Sequence, residues 1–406
     1  MADFLSIDDY NFKNKTALVR VDFNSPLDSN KKITDDTRIR AHAETIKELI
    51  EKEARVVILA HQGRPGSPDF STLEQHALIL SQVLHRPVGY VDDIFGAKAK
   101  TAIKNLKPGA VLVLENVRMW PEETTKKTPK EFAESDLVTN LKPLIDVFVG
   151  DGFAVAHRGN ASIVGFTEVM PSVAGKVMER ELNALIRAKA AREKPCIYVM
   201  GGAKAEDAAA ISDYVLSNNK ADYVLTGGVI GHLFLYAKGV DIGEPNIQYL
   251  EKKDFLQYIP KIKELYTKFN DQIFTPQDFA VDFNGKRKEI DLEDLPTEFP
   301  IFDIGSKTVK TYSELLKNSK IIVISGPMGV YERTEFIKGT KGVFEAITKT
   351  KAFTVSGGGN TIEALEKLGL SQNISYISTG GGALMEFLTG KTLPGVDALI
   401  RAAKRR

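Results

Sequence analysis

Short runs of strand-forming residues alternate with helical patterns along most of this sequence. Examples are residues 17–21, 56–60 and 111–114, which are separated by longer amphipathic stretches. Because parallel strands must be joined by crossover segments, this alternation predicts parallel sheets covered by helices. The further strand-like runs are residues 146–149, 197–200, 223–226, 321–325, 353–356 and 374–378. We therefore predict an α/β fold with two doubly wound parallel-sheet domains of Rossmann-like type.

A charged helical pattern near the middle of the chain divides the sequence into two halves. Val177, Leu182 and Leu185 lie at helical spacing in this pattern. A chain of 406 residues is long enough for two domains, and this helix is the natural hinge between them. Residues 241–311 show a less regular pattern with several turn signals. The predicted divisions are an N-terminal domain at 1–172, an interdomain helix at 173–193, a C-terminal domain at 194–388 and a C-terminal segment at 389–406.

Charge and composition argue against several classes of partner. The 54 Lys and Arg residues nearly balance the 53 Asp and Glu residues, so no overall charge attracts nucleic acid or an anionic membrane. The acidic start, with Asp3, Asp8 and Asp9, does not fit a signal peptide, and no apolar run reaches about 18 residues. We expect a cytoplasmic protein that binds neither nucleic acid nor membrane, and a monomer, with a dimer as the alternative. The single cysteine, Cys196, lies in an apolar run and is expected to be buried and inert.

Basic side chains follow the predicted strands of the first half. His61 and Arg64 come after the run 56–60, and Arg118 and Arg158 follow the next two runs. Any one of these arginines alone would more often be a solvated loop residue. The carboxyl ends of parallel strands meet at one edge of a sheet, so we expect these side chains to converge on one cleft. Guanidinium groups match phosphate and carboxylate geometry, and the pattern therefore predicts an anion site.

Arg38 lies in the first turn of a predicted helix, where a cation opposes the helix dipole. The mismatch costs roughly 0.3 to 1 kcal/mol. A bound anion would explain it, and the alternative is an exposed arginine screened by Asp35 and Asp36. Asp22 and Asn24, after the run 17–21, either form a turn or bind a ligand hydroxyl.

Glycines follow almost every predicted strand of the second half. The sequence Gly201-Gly202-Ala203-Lys204 places a lysine within reach of a phosphate, although it is not the P-loop pattern. Further glycines occur at 227, 228, 326, 329 and 357–359. Together they predict an extended ligand along the sheet edge, for which a nucleotide has the required length. Glu332 is either a surface carboxylate or a ligand of ribose hydroxyls.

Three consecutive glycines, Gly380, Gly381 and Gly382, stand between the run 374–378 and a helical pattern. Glycines there let the backbone approach a phosphate, which the N–H groups and positive dipole end of the helix would face. A tight strand-to-helix turn is the alternative for an isolated triplet. A basic pocket and a glycine-lined pocket suit phosphoryl transfer between two substrates. No general base is obvious, and none is needed for a carboxylate, which is ionised at pH 7.

These motifs resemble those of the phosphoglycerate kinase family, in order and across nearly the whole chain. Segments 20–24, 36–39, 61–65, 115–118 and 156–158 resemble the 3-phosphoglycerate site of the family. Segments 201–204, 326–332, 357–359, 378–383 and 393–396 resemble its nucleotide and transfer site. The resemblance implies interconversion of 1,3-bisphosphoglycerate and ADP with 3-phosphoglycerate and ATP, by direct in-line transfer on closure of a hinge, with Mg²⁺ on the nucleotide. It also implies that the chain from about Thr389 packs back on the first domain.

The same resemblance implies roles for individual residues. The catalytic residues would be Arg38, Lys204, Gly380, Gly381 and Gly382. Substrate would be bound by Asp22, Phe23, Asn24, Arg38, His61, Gln62, Gly63, Arg64, Arg118 and Arg158. The nucleotide would be bound by Gly202, Ala203, Lys204, Glu332, Gly358, Gly359, Asn360 and Thr361.

Three positions depart from the common pattern of the family. Ala208 replaces a second lysine, so one phosphate contact is either missing or supplied elsewhere. Asn360 replaces an aspartate linked to Mg²⁺, which leaves the metal ligands open because a neutral carbonyl is a weaker ligand. Gln62 replaces a leucine, a change that carries little chemical weight on sequence grounds. These differences resemble the archaeal branch of the family.

Two other functions remain as alternatives at this stage. A protein of the same fold that binds nucleotide without catalysis is motivated by Ala208 and Asn360, whereas Arg38, Lys204 and the three glycines argue against it. An NAD-dependent dehydrogenase would suit glycine-rich strand ends. The sequence lacks a clear Gly-x-Gly-x-x-Gly fingerprint in a first βαβ unit, which disfavours the dehydrogenase.

Overall fold

The computed structural model describes residues 4–190 and 192–405. The chain divides into two compact units. The first unit comprises Met1–Asn183 with Thr392–Arg406, and the second comprises Ala184–Lys391. The change from one unit to the other falls inside a helix, Lys176–Ala190, near the middle of the chain.

The first unit is built on a six-stranded sheet whose paired strands are all parallel. The strand order is β3-β4-β2-β1-β5-β6. The strands are β1 Thr16–Arg20, β2 Arg55–Leu59, β3 Val88–Tyr90, β4 Val111–Val113, β5 Val147–Gly150 and β6 Ser172–Ala174. Strand β1 is buried along its whole length, as expected for a central strand covered on both faces. Two apolar cores, one on each face, hold the sheet between its helices.

Helices connect these strands and cover the sheet. They are α1 Thr37–Glu51, α2 Glu74–Leu84, α3 Ala97–Lys104, α4 Pro129–Ala133, α5 Asp136–Leu141 and α6 Lys176–Ala190. Helix α1 shows how the sequence dictates its placement, because Ile39, Ala43 and Ile46 recur at helical spacing and are buried against the sheet.

The second unit repeats the architecture with a second six-stranded parallel sheet, in the order β15-β14-β13-β7-β8-β9. Its strands are β7 Cys196–Met200, β8 Tyr223–Thr226, β9 Ile273–Phe274, β13 Ile321–Ser325, β14 Phe353–Ser356 and β15 Tyr376–Ile377. Its helices are α7 Ala205–Ser217, α8 Gly228–Ala237, α9 Glu244–Lys252, α10 Ile259–Phe269, α11 Ser306–Leu316, α12 Lys338–Thr348, α13 Gly359–Lys367 and α14 Gly381–Leu388. Two parallel sheets with crossover helices confirm the predicted fold class. Cys196 is buried as expected, and burial raises the pKa of its thiol to about 12.

A small antiparallel sheet lies within the stretch whose pattern was less regular. It has the order β11-β10-β12 and consists of β10 Asp278–Phe283, β11 Lys286–Asp291 and β12 Ile301–Ile304. The turn between β10 and β11 places Asn284 and Gly285 at φ of 49° and 82°, which suits the two central residues of a tight hairpin. Strand β11 escaped sequence recognition because its residues are mostly charged and exposed, so it lacks an apolar run.

The final helix, α15 Pro394–Lys404, belongs to the first unit. The Gly395 N–H donates to the Ala156 carbonyl at 2.8 Å, and Leu399 is buried beside Gly150. Arg405 donates to the carboxylate of Glu168 at 3.0 Å. Among the helices that the structure describes, none is long and apolar enough to cross a membrane.

Candidate functional site

Basic side chains gather at the carboxyl edge of the first sheet. Strand β1 leads into Asp22, β2 into His61, β4 into a short 3₁₀ helix that holds Arg118, and β5 into the loop that ends at Arg158. Burial and, after it, the neighbouring charge of Arg158 lower the pKa of Arg118 to about 10. Burial and then the charge of Arg64 lower the pKa of Arg158 as well. The structure therefore brings these predicted residues together, in a positive cleft that an anion would neutralise.

Arg38 has a partner that the sequence analysis did not consider. Its Nη1 donates to Oδ2 of Asp22, and Asp22 is buried whereas Arg38 is partly exposed. Asp22 Oδ1 accepts from the Asn24 N–H at 3.2 Å and lies 3.9 Å from Nδ1 of His61. This ion pair explains how a cation is held in the first turn of α1, and it leaves the exposed part of the guanidinium available to a ligand.

His61 is held in its neutral form at the base of the cleft. Burial lowers the pKa of His61 well below its usual value, and the charges of Arg20, Arg118, Arg158 and Arg38 lower it further. A neutral imidazole has one donor and one acceptor nitrogen, so it can hydrogen-bond a ligand without adding charge.

Arg20 is a member of this cluster that was not among the predicted site residues, although it stood in one of the motifs. It is buried at the end of β1, where its Nε donates to Ser162 Oγ at 2.8 Å and its Nη2 lies 3.3 Å from His61 Nδ1. Glu123, also buried, accepts from Ser162 N–H and Oγ at 2.9 and 2.6 Å. The sequence did contain a signal for Arg20, because a charged residue at the end of an apolar strand is unusual.

The side chains of two residues predicted to bind substrate make contacts inside the protein instead. Phe23 is buried and stacks on His76, with ring centroids 6.3 Å apart. Gln62 is buried, and its amide makes four hydrogen bonds, with the Ser25 N–H and carbonyl, the Asp69 carbonyl and His76 Nε2. These four bonds satisfy the full capacity of the amide. The replacement of leucine by Gln62 therefore carries more chemical weight than the sequence suggested.

The loop that follows Gln62 depends on a close backbone approach. Gly63 has φ of 65°, and a Cβ there would lie 2.5 Å from the carbonyl of Asp69. Its N–H donates to Asn24 Oδ1 at 2.8 Å, and its carbonyl accepts from Arg118 Nη1. Arg64, the next residue, is exposed. Asn24 and Gly63 thus shape the wall from which Arg64 extends.

Glycines line the carboxyl edge of the second sheet. The N–H groups of Gly201 and Gly202 donate to the carbonyls of Ser325 and Pro327, each at 2.7 Å. A Cβ on Gly326 would overlap the backbone of Gly201, so only glycine permits this approach. The turns after β7 and β13 are therefore in direct backbone contact.

A narrow cavity of roughly 80 Å³ opens beside these turns. Lys204 and Asn360 line it, together with the backbone at Gly358 and Gly359. Thr361 also lines it and accepts from the Gly326 N–H at 2.8 Å. A small cavity lined by a cation and by the backbone of glycine turns suits phosphate groups.

A second cavity, of roughly 370 Å³, shares Gly202, Ala203, Pro327 and Asn360 with the first. Its other walls are largely apolar, with Glu332 as an acidic group. The side chains that form those walls include Val229, His232, Tyr249, Ile301, Phe302, Val330 and Tyr331. An apolar cavity that adjoins a phosphate-sized one has the form required by a nucleotide.

The glycine triplet stands at the start of α14, beside the start of α13. A Cβ on Gly381 would lie 3.0 Å from the Cα of Gly358, so the two helix N-termini touch through glycines. Each N-terminus carries unpaired N–H groups and the positive end of a helix dipole. Lys204, exposed at the N-cap of α7, adds a full charge. These groups together can neutralise several phosphate oxygens.

Ala208, one of the three departures from the common family pattern, faces the interior of the unit. It lies one turn after Lys204 in α7 and is only 2% exposed. Burial raises the pKa of nearby Asp207, while the charges of Lys204 and Lys391 act in the opposite direction. Lys391 is thus a further cation near the start of α7 that the sequence analysis did not single out.

A magnesium ion would find few ligands among the side chains that the structure describes. Within residues 4–190 and 192–405, no group of three His, Cys, Asp or Glu side chains stands close enough to hold a metal. Mg²⁺ retains much of its water shell and binds through substrate phosphates with one or two protein oxygens. The cavity lined by Asn360 offers one such oxygen beside the phosphate-sized space. The residues present therefore fit a metal carried mainly by nucleotide phosphates.

The two parallel sheets, with clustered arginines at the edge of one and a glycine-lined cavity at the edge of the other, have the architecture of an α/β phosphotransferase built from two units. A family model described as phosphoglycerate kinase matches residues 7–391. The chain belongs to the phosphoglycerate kinase family, which confirms the predicted resemblance. This family uses ATP and ADP with Mg²⁺.

Individual relatives agree with this membership. The phosphoglycerate kinase of Methanothermus fervidus is 44% identical over 406 residues, covering 100% of this chain and 99% of that protein. The enzyme of Pyrococcus furiosus is 48% identical over 395 residues, with 96% of each chain covered. The crystal structure of phosphoglycerate kinase from Pyrococcus horikoshii OT3 superimposes with a TM-score of 0.89 at 45% identity, covering 99% of both chains. The enzyme structure from Coxiella burnetii gives a TM-score of 0.84 at 34% identity, covering 98% of this chain and 100% of that one.

Proposed function

We propose that this enzyme interconverts 1,3-bisphosphoglycerate and ADP with 3-phosphoglycerate and ATP, as a glycolytic and gluconeogenic kinase. The observation that carries the proposal is that an arginine cluster and a set of glycine turns each occupy the carboxyl edge of their own parallel sheet. Guanidinium groups suit a small carboxylate and phosphate ligand, whereas glycine turns beside an apolar cavity suit a nucleotide. Family membership disfavours both the catalytically silent protein and the dehydrogenase.

The phosphoglycerate binds in the first unit. His61, Arg64, Arg118 and Arg158 hold its anionic groups, while Asp22 and Asn24 contact its hydroxyl group. Phe23, Gln62 and Gly63 shape the cleft rather than supply side chains to it. The support for these roles is the cluster of mutually repelling guanidinium groups, which Asp22 and Glu123 only partly balance.

The nucleotide binds in the second unit. The base occupies the larger apolar cavity, and Glu332 contacts the ribose. The phosphates lie along Gly202, Ala203, Lys204, Gly358, Gly359, Asn360 and Thr361. Asn360, together with the nucleotide phosphates, would hold the metal, which would supply positive charge there. The supporting observation is that the two cavities share four residues, so one elongated ligand spans both.

Transfer requires charge neutralisation rather than a base. The acceptor carboxylate is already ionised, and the phosphoryl oxygens carry the charge that spreads during transfer. Arg38, Lys204 and the backbone N–H groups at Gly380, Gly381 and Gly382 neutralise that charge. Direct in-line transfer needs the two substrates to meet, which we assign to closure of the two units.

The proposal is tested by measuring ATP- and Mg²⁺-dependent phosphorylation of 3-phosphoglycerate, coupled to reductive removal of the bisphosphate product. We expect turnover that is lost in Arg38→Ala. Nucleotide binding without turnover in the unaltered enzyme would instead favour the catalytically silent alternative, and Ala208 and Asn360 would be the first positions to revert.

We also propose a cytoplasmic monomer that does not bind nucleic acid or membrane. The support is the near balance of 54 basic and 53 acidic residues, which gives the chain a formal charge of +1. Light scattering after size-exclusion chromatography tests the oligomeric state, and a mass of about twice 44.7 kDa would establish the dimer instead.

A further inference from the structure

A buried histidine and aspartate form a close pair beneath the anion cleft of the first unit. His42 lies on α1, and Asp151 directly follows β5. Nδ1 of His42 lies 2.6 Å from Oδ2 of Asp151, and the two side chains are 5% and 0% exposed. Neither residue has a role in the function proposed above.

The hydrogen bonds assign a single tautomer to the His42 ring. The backbone N–H of Asp22 donates to Nε2 of His42 at 3.1 Å. An N–H group can only donate, so Nε2 must carry a lone pair rather than a proton. The ring proton therefore sits on Nδ1 and is donated to Asp151. Asp151 thus fixes the tautomer in which Nε2 is unprotonated, and it keeps the ring turned toward the backbone of Asp22, as second partners of histidine do elsewhere.

Asp151 is itself fixed from two sides. Its Oδ1 accepts from the Val177 N–H at 3.0 Å, in the first turn of α6. A Cβ on Gly175 would overlap Oδ1 of Asp151, so only glycine lets the start of α6 approach this closely. The N–H groups of Asp151 and Gly152 both donate to the Arg20 carbonyl, at 3.0 and 2.9 Å. Strand β1, the end of β5 and the start of α6 therefore hold the pair.

Two residues of helix α1 contact Asp22. Arg38 and His42 are four residues apart, so they lie on the same face of the helix. Arg38 binds the side-chain carboxylate of Asp22, and His42 binds its backbone N–H. The direction of the Asp22 carboxylate relative to Arg38 depends on both contacts. Asp151 in turn begins the loop that leads to Arg158, so the same pair links the arginines on α1 and on the β5 loop.

We propose that His42 and Asp151 are positioning residues for the phosphoglycerate site. Through the backbone of Asp22 they keep its carboxylate in place, so that Arg38 faces the incoming anion and Asp22 can accept from the substrate hydroxyl. This role rests on the proposed function, because it is expressed in the use of 3-phosphoglycerate. The alternative is that the pair only satisfies two buried polar groups of the core.

Two substitutions of His42 distinguish a positioning role from a purely structural one. A glutamine amide can occupy the place of Nε2 and accept from the Asp22 N–H, whereas an asparagine amide occupies the place of Nδ1 and reaches only Asp151. We expect His42→Gln to retain kcat/KM for 3-phosphoglycerate within about threefold and His42→Asn to lose about tenfold, mainly in KM. KM for ATP stays unchanged in both. Exposed His85 is the control, and His85→Asn, which suits its left-handed backbone, leaves both constants unchanged.

The two His42 variants could instead have equal kinetic constants and lose equal thermal stability. That result would show that the His42–Asp151 pair only stabilises the core. The unaltered enzyme is assayed first, so a failure of the proposed function shows itself before any variant is compared. A readout independent of activity is the ¹⁵N NMR spectrum of the His42 ring in the full chain. We expect a proton on Nδ1 in the unaltered enzyme and a different tautomer in Asp151→Asn. A proton on Nε2 in the unaltered enzyme would overturn the proposal.

Discussion

Arg38 and Asp22 form an ion pair across the base of the anion cleft, with the arginine in the first turn of α1 and the aspartate just beyond β1. The carboxylate is buried and the guanidinium is partly exposed. A ligand that approaches Arg38 therefore meets a guanidinium whose direction is already set. Such preorganised charge stabilises a transferring phosphoryl group more than a mobile charge does.

We predict that Arg38→Lys lowers kcat by about 100-fold and leaves KM for ATP unchanged. Lysine keeps the charge but not the planar fork that binds Asp22 and a phosphoryl group together. Steady-state kinetics with both substrates varied measure the change. Arg40→Lys is the matched control, because Arg40 lies on the same helix, is exposed and pairs with Asp36. A similar loss in both variants would remove the special role of Arg38.

Lys204→Ala is expected to lower kcat far more than the affinity for 3-phosphoglycerate. Lys204 lines the phosphate-sized cavity of the second unit, so its charge acts on the transferring group and not on the acceptor. Single-turnover kinetics and calorimetric titration with 3-phosphoglycerate separate the two quantities. Lys317→Ala, at an exposed position of the same unit, serves as control. An unchanged kcat would exclude Lys204 from the transition state.

Replacing Gln62 by leucine should destabilise this chain by about 2 to 4 kcal/mol. The Ser25 N–H and the His76 ring would lose a buried acceptor, and leucine offers none. Urea unfolding measures the change in the free energy of unfolding. Gln82→Leu, at an exposed position of α2, is expected to have little effect. Equal stability of the Gln62 variant and the unaltered chain would show that the four hydrogen bonds are dispensable.

His232 should make the stability of the protein depend on pH. Burial lowers the pKa of His232 from 6.5 to about 4 in the folded state. Between these values the unfolded chain binds more protons than the folded chain, so stability is fully present above pH 6.5 and is lost as the pH falls toward 4.

The test compares the unaltered chain with His232→Asn by urea unfolding across this pH range. The stability difference between them should change by up to about 1.4 kcal/mol per pH unit below 6.5 and be flat above it. A difference that does not vary with pH would show that His232 does not titrate on unfolding. The outcome is independent of catalysis, because it concerns only the folding equilibrium.

Local patterns were sufficient to predict the parallel sheets and the residues at their edges. Apolar runs such as 17–21 and 321–325 correspond to β1 and β13, which are followed by Asp22 and Gly326. Strand β15 was predicted as a run of five residues but pairs over only two, Tyr376–Ile377. The short strands β3, β6 and β9 were not predicted, since two or three residues carry too little periodicity to recognise.

The sequence by itself determined most of the strands of the two parallel sheets, the glycine turns and the basic residues after the strands, because each depends on residues close together in the chain. Only the tertiary structure decided which distant groups meet. Arg38 pairs with Asp22, His42 with Asp151, and Gln62 with His76, and in each case the contact depends on how a helix packs on the sheet or on a loop. Such packing is set by the whole core, and no local pattern specifies it.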